Sequence, residues 1–311
     1  MSSAHSAASS ASTSFPRPLA VMLLMGLATM FAGNHVAARV AFDEGTGLLL
    51  AILLRSSVAL VVLACLIVVQ RKRLSLPVAT RPWQLLVGLL IAVQSLCLYS
   101  AVARIPVVVA LLLMNTFPIQ LALLTWVLGG PRPTGRAILI MAIILTGLVV
   151  VLDVPTWLSS PSAMGPDWLA GVGFGLGAAA AFSMALWITE HRLSDVGSTL
   201  RSLLAMMTVL VVMLAAGGMG LMPGGMNLPG SPSGWAGLMA LGLLYAIAFS
   251  TLFICVPRLD MARNAPAMNM EPVAALVMGY LVLGQVLSAT QLIGSAMVMG
   301  GILLLGLSKR P

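Results

Sequence analysis

The sequence predicts an all-α membrane protein of ten transmembrane helices, built as two inverted five-helix repeats. Three observations carry this reading. The 311 residues are 60% hydrophobic and 8% charged, with a mean hydropathy of +1.07, whereas a soluble domain holds about 25% charged residues. Ten apolar runs approach the ~20 residues that a helix needs to cross a bilayer. Finally, Asn115-Thr116-Phe117-Pro118 returns as Asn269-Met270-Glu271-Pro272, 154 residues later, and internal repeats of this kind define an architecture before any single element does.

Residues 1–18 are rich in Ser and Ala and nearly uncharged, and read as a disordered tail. The apolar runs follow at 19–38, 47–69, 83–103, 106–128, 135–152, 168–189, 199–221, 235–256, 264–283 and 289–307. The first run is too long for a signal-peptide core and lacks a basic cluster before it, so it reads as a retained span. Strand alternation is absent, and lipid admits only helices or closed barrels, so the runs are helices. Arg104, Ile105 and Pro106 alone separate the third run from the fourth. Proline fits the first turn of a new helix and supports a break there. The longest connectors, 153–167 and 222–234, are rich in Pro, Gly and Ser. The domains are therefore the tail at 1–18, a first repeat at 19–152, a linker at 153–167 and a second repeat at 168–308.

Orientation follows from the basic residues. With the N-terminus inside, thirteen of the sixteen Lys and Arg residues fall on inner segments and two, Arg39 and Arg104, on outer ones; Arg55 lies within a span. Both termini are then cytoplasmic. Five spans is an odd number, so the second copy enters from the opposite side and the copies are inverted. At the 154-residue offset Arg104 meets Arg258, Gly130 meets Gly284 and Gly147 meets Gly301; a second frame, at 146, pairs Arg55-Ser56 with Arg201-Ser202. Inverted repeats are a common build for secondary transporters, with the substrate site near the midplane between copies. The net charge of +8 lacks the aromatic interleaving of a nucleic-acid face and suits the anionic lipid surface. Cys65, Cys97 and Cys255 lie in apolar runs and do not read as a disulfide framework.

Charged groups inside a span cost about 2.5–3.5 kcal/mol each on insertion scales, so each marks a candidate site. Glu271 sits about seven residues into the ninth run. It reads either as a coupling carboxylate or ligand for a substrate amine, or as a bonded carboxylate holding helices together. Arg201 enters from the same side and is its candidate partner. Arg55 has no acid at the repeat position, because Phe117 stands where the second copy has Glu271. It is free to meet a substrate carboxylate in bidentate fashion, although its reach favours snorkelling outward toward Asp43 or Glu44. His35 and Asn34 lie near the outer end of the first span. His35 suits a proton relay, but an interfacial hydrogen-bonded histidine is the commoner case. Asn115 and Asn269 each precede a proline by three residues. Pro118 and Pro272 free a helical carbonyl and kink the span, and the asparagines read equally as substrate ligands and as interhelical glue. Gln94, Tyr99, Trp187 and Tyr245 are further lining candidates, or packing and belt residues. Gly171, Gly175 and Ala179 form a small-residue stripe for close helix approach. No metal, cofactor or enzyme motif emerges.

The chain resembles the drug/metabolite transporter superfamily, specifically its EamA-type bacterial exporters. The stretches that carry the likeness are Gly33-Asn34-His35-Val36-Ala37-Ala38-Arg39, Leu54-Arg55-Ser56, Pro118, Glu271-Pro272 and the Gly-rich last run from Gly294 to Gly306. The family often has Trp-Gly where this chain has Gly33-Asn34. The resemblance implies an exporter of amino acids and related small metabolites, proton-linked or facilitated; the inner membrane is the expected location and a monomer the expected state. It implies a central cavity lined by spans one to four and six to nine, with five and ten peripheral. The alternative reading is a membrane-embedded enzyme or lipid-handling protein, which requires a cluster of acids, His or Ser at one face and a lateral opening to lipid.

Overall fold

The computed structural model describes residues 15–70, 75–130, 132–152, 167–220, 225–255, 259 and 265–307, and all regular structure among them is helical. The expected tail, up to residue 14, and the linker at 153–166 lie outside the described residues. The first half holds α1 (Arg17–Asp43), α2 (Leu48–Gln70), α3 (Arg81–Val102), α4 (Val107–Met114), α5 (Phe117–Val127) and α6 (Gly135–Val151). The second holds α7 (Trp168–Arg192), α8 (Ser198–Gly218), α9 (Pro232–Cys255), α10 (Glu271–Leu283) and α11 (Ala289–Leu307). Short 3-10 segments, Val78–Thr80 and Ala265–Met270, lead into α3 and α10. Among the described residues seven helical segments are long and apolar enough to cross a membrane, and Gly135–Val151 and Glu271–Leu283 are shorter apolar helices.

Proline places several of the helix starts. Pro18, Pro82, Pro118 and Pro272 each stand in the first turn of a helix, where the missing N–H has no helical partner to lose. The fourth apolar run is consequently two helices, α4 and α5, parted at Asn115 and Thr116. The polar side chains at the break serve the carbonyls around it: Asn115 Nδ2 donates to Leu111 O at 2.8 Å and Thr116 Oγ1 to Leu113 O at 2.7 Å. The ninth run repeats the device, with a 3-10 turn ending where Pro272 opens α10. Gly284, at φ 62°, ends α10 in the left-handed conformation that glycine adopts without a Cβ penalty.

The halves interlock. The helix α1 packs on α9 and α3 on α7; α2 packs on α8 and on α9, α3 on α8, and α6 on α11. Exchange of the two halves maps each of these contacts onto itself or onto another in the set. Corresponding helices also run in opposite directions. Leu49 at the start of α2 lies against Gly217 near the end of α8, and α6 meets α11 through Gly147 with Met297 and Val151 with Gly294.

The packing selects one repeat frame. Gly88 faces Thr208, and Gly242 faces Leu54; Gly147 faces Val298, and Gly301 faces Ile144. Each pair becomes the other on adding or subtracting 154. The 146-residue frame, which matched Arg55 with Arg201, is corrected: Arg55 is the eighth residue of α2, while Arg201 is the fourth of α8. In the 154 frame the counterpart of Arg55 is Val209, buried and apolar.

The glycine stripe of α7 packs as its spacing implied. A Cβ on Gly175 would lie 2.8 Å from Leu113 Cδ1, and one on Gly171 would strike the Ile105 side chain at 2.5 Å. No disulfide joins the cysteines, which are free.

Candidate functional site

Polar side chains from both halves converge on Arg55. Arg55 is 7% exposed, far from the outward-reaching position its length favoured; the snorkelling expectation is corrected. Two aromatic rings hold it, with Cζ 5.1 Å from the Tyr99 centroid and 4.9 Å from that of Tyr245. Cation–π contacts of this kind are worth about 0.5–1 kcal/mol exposed and about 2 or more when desolvated, so the rings offset part of the cost of burying the charge. Arg55 Nη2 donates to Ser95 Oγ at 2.8 Å, while Nε finds no hydrogen-bond partner. Among the described residues no carboxylate pairs with Arg55.

The clamp is itself held in place. Tyr99 is fully buried; its hydroxyl donates to Asn34 Oδ1 at 3.4 Å and its ring meets Phe42 edge-on. Asn34, also fully buried, donates through Nδ2 to Leu241 O of α9 at 2.7 Å. Tyr245 is braced by Phe31 edge-on and by Phe249 in a stack. Beside the clamp, His35 Nε2 lies 3.5 Å from Glu271 Oε1, and the His35 ring is 6.0 Å from Tyr99. His35 Nδ1 and Ser56 Oγ are buried without hydrogen-bond partners. At 6% exposure His35 is a buried residue that bridges α1 and α10.

The remaining candidates separate into those brought here and those placed elsewhere. Gln94 is buried beside Ser95 and accepts from its hydroxyl at 3.4 Å. Arg201 does not partner Glu271; it donates to Leu193 O at 2.8 Å, and its own carbonyl accepts from Gln84. His35 takes the position expected of Arg201 because α1, rather than the start of α8, packs on α10. Trp187 is also elsewhere, stacked on His191 at 4.5 Å near the end of α7. Asn115 serves the α4–α5 break. The side chain of Asn269 is outside the described residues. Ser95 is a member of the cluster that sequence reasoning missed, although its adjacency to Gln94 within an apolar run is an available signal; Ser56 entered only as part of the Leu54-Arg55-Ser56 stretch. Among the described residues no three His, Cys, Asp or Glu side chains gather as metal ligands.

The two ends of the bundle are closed differently. At one end Glu44 joins the α1–α2 loop to the start of α9. Its carboxylate accepts from Ser231 Oγ at 2.7 Å and Ser233 Oγ at 3.1 Å, and its carbonyl from Gly230 N at 3.1 Å. These hydroxyl donors hold the Glu44 carboxyl below its usual range. At the other end Leu76, Trp83, Leu193 and Val196 form an apolar cluster. A groove of 480 Å³ runs along α1 between α9 and α10; among its lining side chains only Thr29 and Ser233 are polar. It is a largely apolar crevice.

Sixteen chains of known structure match the protein. One, a crystal structure described only as that of a protein, is 19% identical with a TM-score of 0.59, over 92% of this chain and 96% of its own. At that identity the likeness speaks to fold alone. No curated protein matches. The sequence itself matches the EamA-like transporter family twice, over residues 18–153 and 166–307. Two family repeats, a wholly helical apolar fold and a buried polar cluster between the halves agree with one another, and the chain belongs to the EamA-like transporter family.

Proposed function

We propose that the protein is a secondary transporter of the bacterial inner membrane that exports amino acids or related small metabolites by alternating access. It acts as a ten-span monomer, with two inverted five-helix copies at 19–152 and 168–308 and both termini in the cytoplasm. The antiparallel course of corresponding helices supports the inversion. A two-fold exchange of the copies then presents one central site to either face.

One observation supports the reading: Arg55 is buried among polar groups from both halves, and among the described residues no carboxylate pairs with it. An unpaired charge in that setting is expensive, and a substrate carboxylate compensates it with charge-assisted hydrogen bonds to the free guanidinium edge. The His35–Glu271 pair supplies the second pole. Glu271 accepts a substrate amine or a proton in exchange for His35, which makes coupling to a proton gradient available without a nucleotide.

Counterflow in proteoliposomes, with each of the twenty amino acids tested singly, provides the test. The expected result is accumulation of at least one of them, abolished by Arg55→Gln and uncoupled from an imposed pH gradient by Glu271→Gln. Absence of counterflow across the whole panel sinks the amino-acid assignment. Reporter fusions at each terminus and at the loop around Gly45 test the orientation.

A further inference from the structure

The contacts around Arg55 close into a ring that starts and ends on α9. Leu241 O accepts from Asn34 of α1, Asn34 accepts from Tyr99 of α3, and Tyr99 faces the Arg55 guanidinium of α2. Arg55 in turn faces Tyr245, one helical turn along α9 from Leu241. Asn34, Tyr99 and Arg55 all belong to the first half of the chain; the second half enters the ring only through α9. We propose that Tyr245 is a positioning residue for the substrate carboxylate, acting through Arg55: the second half's ring completes the clamp that orients the guanidinium, and withdrawal of α9 releases it. This rests on the reading of the cluster as a substrate site.

The physical basis is the freedom of an arginine side chain. With one ring face and one hydrogen bond to Ser95, the guanidinium plane can still turn about its stem. Contact with a second ring restricts that rotation and points the unpartnered Nε–H edge in one direction. Bidentate recognition of a carboxylate depends on such a fixed fork. The repeat counterpart of Tyr245 is Ile91, 154 residues earlier, so the first half has no equivalent ring to offer. Leu241 O and Tyr245 lie on one helix and leave together. The ordered site therefore exists while α9 is docked, and loosens when the second half moves away.

Thermal unfolding of the purified full chain in detergent tests this, with sodium acetate and L-alanine as probes against sodium chloride at equal ionic strength. A ligand that binds only the folded state raises the midpoint in proportion to its occupancy. Both probes are expected to stabilise the wild type, and Arg55→Gln to abolish the response. Tyr245→Leu should weaken the apparent affinity about five- to thirtyfold, the equivalent of losing a cation–π contact of ~1–2 kcal/mol. Tyr245→Phe, which keeps the ring, should stay within about twofold of wild type. In the Arg55→Gln background, Tyr245→Leu should add nothing to the ligand response. Tyr245→Met carries the same expectation as Tyr245→Leu, so an unfolded leucine variant does not end the test. Wild-type affinity in the leucine or methionine variants, or equal loss in the phenylalanine variant, overturns the role of Tyr245 while leaving the Arg55 site standing. Failure of both probes to stabilise the wild type removes the carboxylate site and this proposal together.

Discussion

Replacing Gly294 by alanine drives a methyl group into the contact between α6 and α11. The new Cβ would lie 2.6 Å from Val151 N, 2.7 Å from Gly147 O and 2.8 Å from Val151 Cγ2. Two of these atoms are backbone and cannot rotate away. Restoring an ordinary contact of 3.4 Å requires the helices to part by about 0.8 Å. A gap of that size forfeits about a quarter to a half of the dispersion energy across the seam. With on the order of 40 atom pairs at about 0.15 kcal/mol each, the loss comes to roughly 1.5–3 kcal/mol. In lipid no hydrophobic term between helices offsets it, because acyl chains are as apolar as the side chains. Higher helix propensity returns at most about 1 kcal/mol. Gly300→Ala is the internal control: its Cβ meets nothing within 4 Å, so that variant keeps the propensity gain alone. Thermal unfolding in detergent should place Gly294→Ala about 2–6 °C below wild type, with Gly300→Ala level or slightly higher. Since α6 and α11 contribute nothing to the Arg55 clamp, the stabilisation by carboxylate probes should be unchanged. Equal midpoints for the two variants would refute the claim that backbone proximity holds this seam.

Three further expectations concern other contacts. Gly88→Ala brings a Cβ within 2.5 Å of Thr208 Cβ and should cost about 1–3 kcal/mol by overpacking; Thr208→Gly in the same chain, which removes that Cβ, should relieve the clash, so that the double variant is less destabilised than the sum of the two single variants in a melting series. Asn34→Ala leaves the buried Tyr99 hydroxyl without its acceptor and frees α1 from Leu241 O; a loss of about 1–3 kcal/mol is expected, accompanied by a weaker response to carboxylate probes because the Tyr99 ring loses its anchor. Glu44 is held below its reference value of 4.5 by Ser231 and Ser233. A depressed carboxyl contributes stability that is fully present above the unfolded-state value and lost as pH falls through the folded one. Hydrogen exchange at Gly47 N and Gly230 N, which donate to Asn227 O and Glu44 O, should therefore lose protection below about pH 4.5 after correction for intrinsic rates. Glu44→Gln should show the same protection at every pH; a wild-type profile without that acid step contradicts the tether.

How far the sequence led depends on which interactions are local. Helix number, the breaks at Pro118 and Pro272, and the Gly171–Gly175 stripe were legible because proline and glycine act on the backbone of their own segment. The partner of Glu271 was not. Arg201 satisfied charge and depth, but His35 lies opposite because α1 packs on α10, and helix neighbours are a property of the whole bundle. The fate of Arg55 was hidden for the same reason: its burial depends on rings at positions 99 and 245, from two other helices, and a long apolar stem allows either outcome until those rings are placed.

The rejected 146-residue frame shows why similarity of apolar segments misleads. Such segments draw on few residue types, so Arg-Ser followed by Leu, Ala and Val recurs by composition alone. Glycine contacts discriminate better, since a missing Cβ is useful only where another helix touches, and the pairs Gly88 with Thr208 and Gly242 with Leu54 can be equivalent in one frame alone. In that frame Arg55 answers to Val209, Tyr245 to Ile91, Glu271 to Phe117 and Asn34 to Ile188. The scaffold is thus repeated while the site is not. On the transport reading proposed above, symmetric backbones give two halves that can exchange positions, and the polar groups, each present once, give a single site for both arrangements to share. A symmetric pair of such clusters would bury twice the unpaired charge in lipid, at a cost of several kcal/mol more, and would offer a substrate two places to rest instead of one to pass through.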